Sequence, residues 1–311
     1  MDFAGKVVFI TGGSRGLGIA LARQFARQGA RLALCSRSEE ELRTAKEDLA
    51  SLTDAVLTIP CNVASAAQVE ETIAAVLDRF GRIDVIVNNA GIITVGPVQS
   101  MTREDFTVAM NTMFWGPVNT TLAALPHLEK TRGTIVNITS IGGKASVPHL
   151  IPYCCAKFAA VAFSEGLRAE LCCTGVKVVT VVPGLMRTGS HRSAHFKGNA
   201  HAEASWFGVA ASMPGLAMGA DRAARRIVAA AARGQAEVVL GVPAKLLAYF
   251  HALCPGAAAE TLGLINGMLP HGMQQDAVNW DAATSRSRGI EVLTAMGRKA
   301  AKDFLQPGAA A

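Results

Sequence analysis

The chain has 311 residues; half are hydrophobic, 17% are charged, and 30 Lys and Arg against 24 Asp and Glu leave a net charge of +6. That length suits one large α/β domain with additions, and the apolar share supports a sizeable core. No basic run stands out, which argues against a nucleic-acid partner and leaves the positive charge for solubility or a small anionic ligand.

Residues 6–11 (KVVFIT) read as a buried strand and 16–28 as a helix carrying Leu17, Ala20, Leu21, Ala22 and Phe25 at helical spacing. A second strand at 31–35, a charged amphipathic helix at 38–51, a third strand at 55–60, a helix at 65–80 and a fourth strand at 83–87 follow. Helical stretches over 102–130 are broken at Gly116-Pro117, then come a strand at 134–139, a helix at 152–173 and a strand at 176–182. Strands alternating with helices of this length predict a mostly parallel sheet, and strand runs without polar alternation predict one covered on both faces.

After Gly184 the pattern fades. Residues 185–219 show no clear period, and an irregular stretch of this length inside a compact domain reads as a lid over a site. Its Leu185, Met186, Trp206, Phe207, Met213 and Met218 are candidates for an apolar pocket wall, with packing onto the body as the competing reading. Its His191, Arg192, His195, Lys197 and His201 fit a solvated basic loop better than an anion site, and no metal spacing is recognisable. An amphipathic helix at 220–233 and a last strand at 236–240 complete the sheet pattern.

The opening MDFAGKVVFITGG shows no secretory signal, so a cytoplasmic location is expected. The seven cysteines fit no CxxC or zinc pattern and are read as buried thiols in a reducing compartment.

Three segments carry chemistry. Tyr153 and Lys157 stand four residues apart in IPYCCAKFAA, one helical turn, which puts phenol and ammonium on one face. A nearby cation eases loss of the phenol proton. Ser140, closing the apolar run GTIVNITS, offers a hydroxyl to hold a carbonyl oxygen. Together these groups can move a proton on and off an alcohol oxygen. The second segment is Thr11-Gly12-Gly13-Ser14-Arg15-Gly16-Leu17-Gly18, between the first strand and the first helix. Glycines there let backbone approach a pyrophosphate at a helix N-terminus. The second strand then ends at Ser36-Arg37, where an acid for the ribose hydroxyls of NAD is missing. A guanidinium beside a hydroxyl suits a 2′-phosphate, and Arg15 can approach the same group, so NADP is preferred over NAD. The third segment, Asn88-Asn89-Ala90-Gly91, ends the fourth strand at the ligand-binding edge of the sheet.

Order and spacing of these pieces over residues 5–190 resemble the short-chain dehydrogenase/reductase family in its single-domain branch. The resemblance implies a three-layer Rossmann-type doubly wound parallel sheet, a nicotinamide cofactor and a catalytic set of Ser140, Tyr153, Lys157 and Asn111. It makes Tyr153 the general acid in reduction, Lys157 the group that lowers its pKa and holds the nicotinamide ribose, and Ser140 the substrate-oxygen ligand. Asn111 would hold a water in a proton relay, and Thr188, after Pro183-Gly184, would touch the nicotinamide carboxamide. The cofactor contacts expected are Gly12, Ser14, Arg15, Gly16, Leu17, Gly18, Ser36, Arg37, Asn62, Val63, Asn89, Ala90, Gly91, Tyr153, Lys157, Pro183, Gly184 and Thr188. Asn62 stands where the family often has an acid for the adenine amine, and its side-chain carbonyl keeps an acceptor there.

The expected organisation is a catalytic domain over 1–241, including the lid, and an apolar helical extension over 242–311 packed on it. Residues 246–259 and 261–275 are proline-split pieces with one charge between them, Glu260, too broken to span a bilayer. They suit a pocket wall, a dimer contact or a peripheral membrane contact. The function expected is interconversion of a hydrophobic ketone or aldehyde with its alcohol, by a homo-oligomer; the alternative is a non-catalytic NADP-binding scaffold or redox sensor on the same fold.

Overall fold

The computed structural model describes residues 2–284 and 294–306. The Ala/Gly/Pro end at 307–311 and part of the extension, 285–293, lie outside the described residues.

β1 (Val7–Thr11), α1 (Gly16–Ala26), β2 (Arg31–Ser36), α2 (Glu39–Leu49), β3 (Val56–Pro60), α3 (Ala66–Phe80) and β4 (Val85–Asn88) alternate as the sequence predicts. A short β5 (Thr94–Val95) leads to α4 (Arg103–Met110), a π turn (Asn111–Trp115), α5 (Gly116–Thr131), β6 (Thr134–Ile138), α6 (Ile151–Glu170) and β7 (Lys177–Pro183). The chain thus stays helical through the 102–130 region, passing from α4 through the π turn just before Gly116-Pro117 into α5.

Seven strands make one sheet in the order β11-β7-β6-β4-β1-β2-β3, every neighbouring pair parallel; β11 is Glu237–Leu240. Successive strand residues point to opposite faces. Val8 and Ile10 therefore join one core with Phe25, Ile227 and Phe304, while Val7 and Phe9 join the other with Ile73, Leu128 and Leu171. Both faces are covered, which explains strands without polar alternation. The chain leaves β1 toward β2 on one side and returns to β4 on the other, so the carboxyl ends of β1 and β4 open a crevice.

The region 185–219 is more regular than its sequence suggests. It holds β8 (Met186–Arg187), β9 (His195–Phe196), α7 (Ala200–Ser212) and β10 (Met218–Gly219). β8 pairs with β10, and β9 pairs with β5 and with β12 (Val278–Asn279), making two small sheets over the crevice. The buried residues of α7, Glu203, Ala204, Phe207, Gly208, Ala211 and Ser212, recur at helical spacing on one face, but that face includes Glu203 and Ser212 while Ala202, Trp206 and Val209 stand off it, so the sequence shows no hydropathy period. Downstream come α8 (Ala220–Arg233), α9 (Val242–Leu253), α10 (Pro255–Asn266), α11 (Trp280–Thr284) and α12 (Ala295–Asp303). Pro243 and Pro255, read as breaks, stand in the first turns of α9 and α10. This helix pair buries little beyond Ala244 and Ala258 and leaves Leu246, Tyr249, Leu253, Leu264 and Met268 exposed. No helix among the described residues is long and apolar enough to cross a membrane.

Cys35, Cys61 and Cys154 are buried, whereas Cys155, Cys172, Cys173 and Cys254 are exposed, so the expectation of seven buried thiols fails for four. Cys155, Cys172 and Cys173 lie on the outer side of α6 and the turn after it, where apolar neighbours in sequence do not mean a covered face.

Candidate active site

The glycine turn and the segment after β4 are stitched together by backbone polar groups. Thr11 Oγ1 accepts hydrogen bonds from the Asn89 and Ala90 amides at 2.9 and 3.1 Å, and Asn89 Nδ2 donates to the carbonyls of Thr11 and Gly12, both at 3.0 Å. At Gly18 any Cβ would stand 2.0 Å from the Gly12 carbonyl oxygen. Only glycine lets α1 start this close to the turn and aim its N-terminal amides into the crevice. Deeper down, Asn88 Nδ2 donates to Asn137 Oδ1 at 2.8 Å, Asn137 Nδ2 to Ser164 Oγ at 2.9 Å, and Ser164 meets Thr180 at 2.7 Å. This buried chain ties the ends of β4, β6 and β7 to α6, the helix that carries Tyr153 and Lys157.

A cavity of about 470 Å³ opens above these ends. Its wall contains Gly12, Ser14, Arg15, Gly16, Leu17, Ser36, Arg37, Asn62, Val63, Asn89, Ala90, Gly91, Pro183, Gly184 and Thr188, together with Ser140, Tyr153 and Lys157. Two expected residues stand off that wall. Gly18 is spent on packing α1 against the turn. Asn111 begins the π turn with its side chain exposed and its carbonyl accepting the Gly116 N–H, and Thr112 reaches the cavity in its place. Such one-turn π segments are frequent at functional sites.

Ser140 Oγ accepts from the Gly142 amide at 3.0 Å, which leaves its proton for another oxygen. Lys157 is 5% exposed; its Nζ donates to the Ile138 carbonyl at 2.8 Å and stands 5.8 Å from the centre of the Tyr153 ring. Burial pushes the phenol up to about 12, against the opposing pull of a hydrogen bond with Ser140. Burial also brings Lys157 down to about 8. Desolvation of the phenolate is the largest influence on this phenol. At neutral pH the site holds a protonated phenol beside a largely charged ammonium.

At the far end, Arg37 is exposed on the cavity rim, and Ser36 Oγ donates to the Ser38 carbonyl at 3.2 Å. Glu41 also lines this end; its carboxylate accepts from Ser14 Oγ at 2.9 Å and lies 3.5 Å from Arg15. Asn62 Oδ1 accepts from the Ala64 amide at 3.2 Å, with a second lone pair remaining.

For its apolar residues the lid follows the packing reading more than the pocket-wall reading. Of its six apolar candidates only Met186 lines the cavity; Trp206 and Phe207 build a separate cluster with Phe196 and Trp280, Met218 packs on the main core, and Met213 is exposed. The basic residues are not a solvated loop either. Lys197 Nζ meets Asp105 Oδ2 at 2.6 Å with both side chains largely buried, Arg192 pairs with Asp281 at 3.1 Å, and His201 Nδ1 meets the Ala283 carbonyl at 2.7 Å. His191 is 1% exposed, and burial, with help from Arg192, brings its pKa down to about 4. His195 alone of the five reaches the cavity. Ser193 and Gln306 line it as well, and nothing in their local sequence marks them. Their place comes from contacts between segments far apart in the chain.

The family profile described as short chain dehydrogenase matches residues 6–197. The chain belongs to the short-chain dehydrogenase family. It is an oxidoreductase acting between carbonyls and alcohols. Among its relatives, the Arabidopsis thaliana 11-beta-hydroxysteroid dehydrogenase-like 4A is 38% identical over 188 residues, which are 60% of this chain and 62% of that protein. Two solved family structures superpose well. A short-chain dehydrogenase from Streptomyces avermitilis has a TM-score of 0.72 at 29% identity, covering 85% of this chain and 99% of its own. An alcohol dehydrogenase from the archaeon Thermococcus sibiricus, complexed with 5-hydroxy-NADP, has a TM-score of 0.65 at 28% identity, covering 76% of this chain and 95% of its own. The structural likeness thus covers more of the chain than the profile does.

Proposed function

We propose that this short-chain dehydrogenase reduces a hydrophobic ketone or aldehyde with NADPH. The observation that carries the reading is convergence: the glycine turn, Ser36-Arg37 and the trio Ser140, Tyr153 and Lys157 all face one continuous cavity. The residues fit the cofactor. The α1 N-terminus and glycine turn suit a pyrophosphate, and the exposed Arg37 suits a 2′-phosphate, with Glu41 already engaged by Ser14 and Arg15. The dinucleotide, when bound, supplies the hydride.

The chain's own groups do the rest. Ser140 Oγ, fixed by the Gly142 amide, donates its proton to the substrate oxygen and orients it. Tyr153 is protonated at neutral pH, so it is ready to give its proton to that oxygen as negative charge develops there. Lys157, anchored on the Ile138 carbonyl, stays close enough to stabilise the phenolate left behind. Ile92, Ile93 and Met186 give the substrate end an apolar wall and keep water from the transfer. The hydroxysteroid-type name of the Arabidopsis thaliana relative supports a bulky apolar substrate.

Tyr153→Phe removes the proton donor and keeps the ring. With a competent substrate from a panel of steroids, fatty acyl ketones and aldehydes, kcat should fall about 10³-fold while NADPH affinity stays within a factor of about two. Near-normal turnover of that variant sinks the proton role. NADPH binding without consumption across the panel would instead favour the non-catalytic scaffold.

A further inference from the structure

We infer that Gln306 is a cofactor-retaining residue: the segment 295–306 crosses back over the glycine turn and clasps it to the lid. The inference rests on the cofactor reading above and adds a residue to it from outside the family's matched region, 6–197.

Contacts from three residues, Asp303, Phe304 and Gln306, build the clasp. The Gly16 amide, at the N-terminus of α1, donates to the Phe304 carbonyl at 2.7 Å. Arg23, two turns along α1, donates from Nη1 to the Asp303 carbonyl at 2.7 Å and lays its guanidinium 5.7 Å from the Phe304 ring centre. The Gln306 carboxamide then bridges to the lid: Oε1 accepts from Ser193 Oγ at 2.7 Å, and Nε2 donates to the Thr188 carbonyl at 3.2 Å. Ser193 Oγ in turn accepts from Arg15 Nη1 at 2.9 Å, so glycine turn, lid and segment form one chain of hydrogen bonds. Gln306 is 6% exposed and lines the cavity, and a carboxamide nitrogen carries two protons, so one remains for whatever lies there.

The backbone is bent to put it there. α12 ends with the Gln306 amide donating to the Ala301 carbonyl at 2.9 Å, a closure that needs a left-handed residue in between. That residue is Leu305, with φ of 56°. A branched side chain is costly in this region, where glycine is usual, and such a conformation persists when the surroundings impose it. A Cβ on Gly16 would stand 2.9 Å from Gln306 Nε2, so the turn and the carboxamide are in contact with no slack. The cavity remains open with the clasp in place, so the segment walls the pyrophosphate end and does not fill it.

The test is release kinetics on the full chain. NADPH is pre-bound, chased with excess NADP+, and followed by nucleotide fluorescence. Gln306→Ala, which loses two hydrogen bonds, should release NADPH about tenfold faster with its association rate nearly unchanged. Lys299→Ala, on the exposed face of α12, should release it at the wild-type rate. Hydrogen exchange provides a second measure that needs no variant: amides of 300–306 should slow when NADPH is added. A Gln306→Ala chain that releases NADPH within twofold of wild type, or amides of 300–306 indifferent to NADPH, overturns the clasp alone. A wild-type chain that binds neither NADPH nor NADH overturns the cofactor reading, and the clasp with it.

Discussion

At the glycine-turn end of the cavity, the wall sits on the main sheet: Thr11 at the end of β1 and Asn89 just after β4 are 78 residues apart in the chain but bonded across adjacent strands, beside the α1 amides. At the lid end, the wall hangs on side-chain pairs between distant segments: Lys197 with Asp105, His149 with Glu203, Gln306 with Ser193, separated by 92, 54 and 113 residues. The first end is rigid because a parallel sheet is covered on both faces. The second depends on a few buried polar contacts, any of which can be removed without touching the sheet. Damage to the first end should therefore act on chemistry and cofactor choice, and damage to the second on stability of the lid.

The largest effect that separates the two ends is expected at the Lys197–Asp105 pair. Their side chains are 7% and 12% exposed, so removing one partner strands the other charge away from water. Burial alone would raise Asp105, but Lys197 and Thr102 hold its carboxyl below the ordinary carboxylate range, so Asp105 is ionised at neutral pH. Asp105→Ala should cost about 3–5 kcal/mol in chemical denaturation. Lys197→Met removes the charge with its stem volume kept and should cost less, because Thr102 still donates to Asp105 from its amide at 2.7 Å. Equal, small losses for both variants would mean that the lid does not depend on this pair.

The difference between the ends also explains what the sequence discloses. The turn, the Asn89-Ala90-Gly91 segment and the Tyr153/Lys157 spacing were readable because each is a local requirement: a close backbone approach, a strand end, one helical turn. The apolar strand runs disclosed the doubly covered sheet for the same reason. The lid is not readable, since the buried face of α7 includes Glu203 and Ser212 while apolar residues stand off it, and Lys197 and His201 look like part of a solvated basic loop until their distant partners are known. Gln306 had no signal at all, standing just before a Pro/Gly/Ala end.

At the cofactor end the sharpest probe is Arg37→Ala. A charge-assisted contact to a phosphate is worth about 1.5–3 kcal/mol, so NADPH affinity should weaken roughly 10–100-fold with NADH affinity nearly unmoved. Titrating both nucleotides against wild type and variant checks it. Parallel loss of both, or of neither, would place the 2′-phosphate elsewhere and reopen the choice between NADP and NAD. Global stability should not move, since Arg37 is exposed on the rim.

The smallest effect belongs to the lid again, and it depends on acidity. His191 lies beside the Trp280 ring, centres 4.6 Å apart, with its pKa brought to about 4 by burial and, secondarily, by Arg192. The unfolded chain takes up a proton near 6.5, before the folded chain does. Protons thus favour unfolding as pH falls from about 6.5 to about 4, and the contribution of neutral His191 is fully present above that window. Among the described residues, the Trp280 ring and Gly297 lie against it, and neither is acidic. Thermal unfolding followed by tryptophan fluorescence should show the melting temperature sliding down across that window, and His191→Phe should flatten part of the slide. An unchanged slope in the variant would mean that His191 does not contribute to the acid sensitivity of the lid.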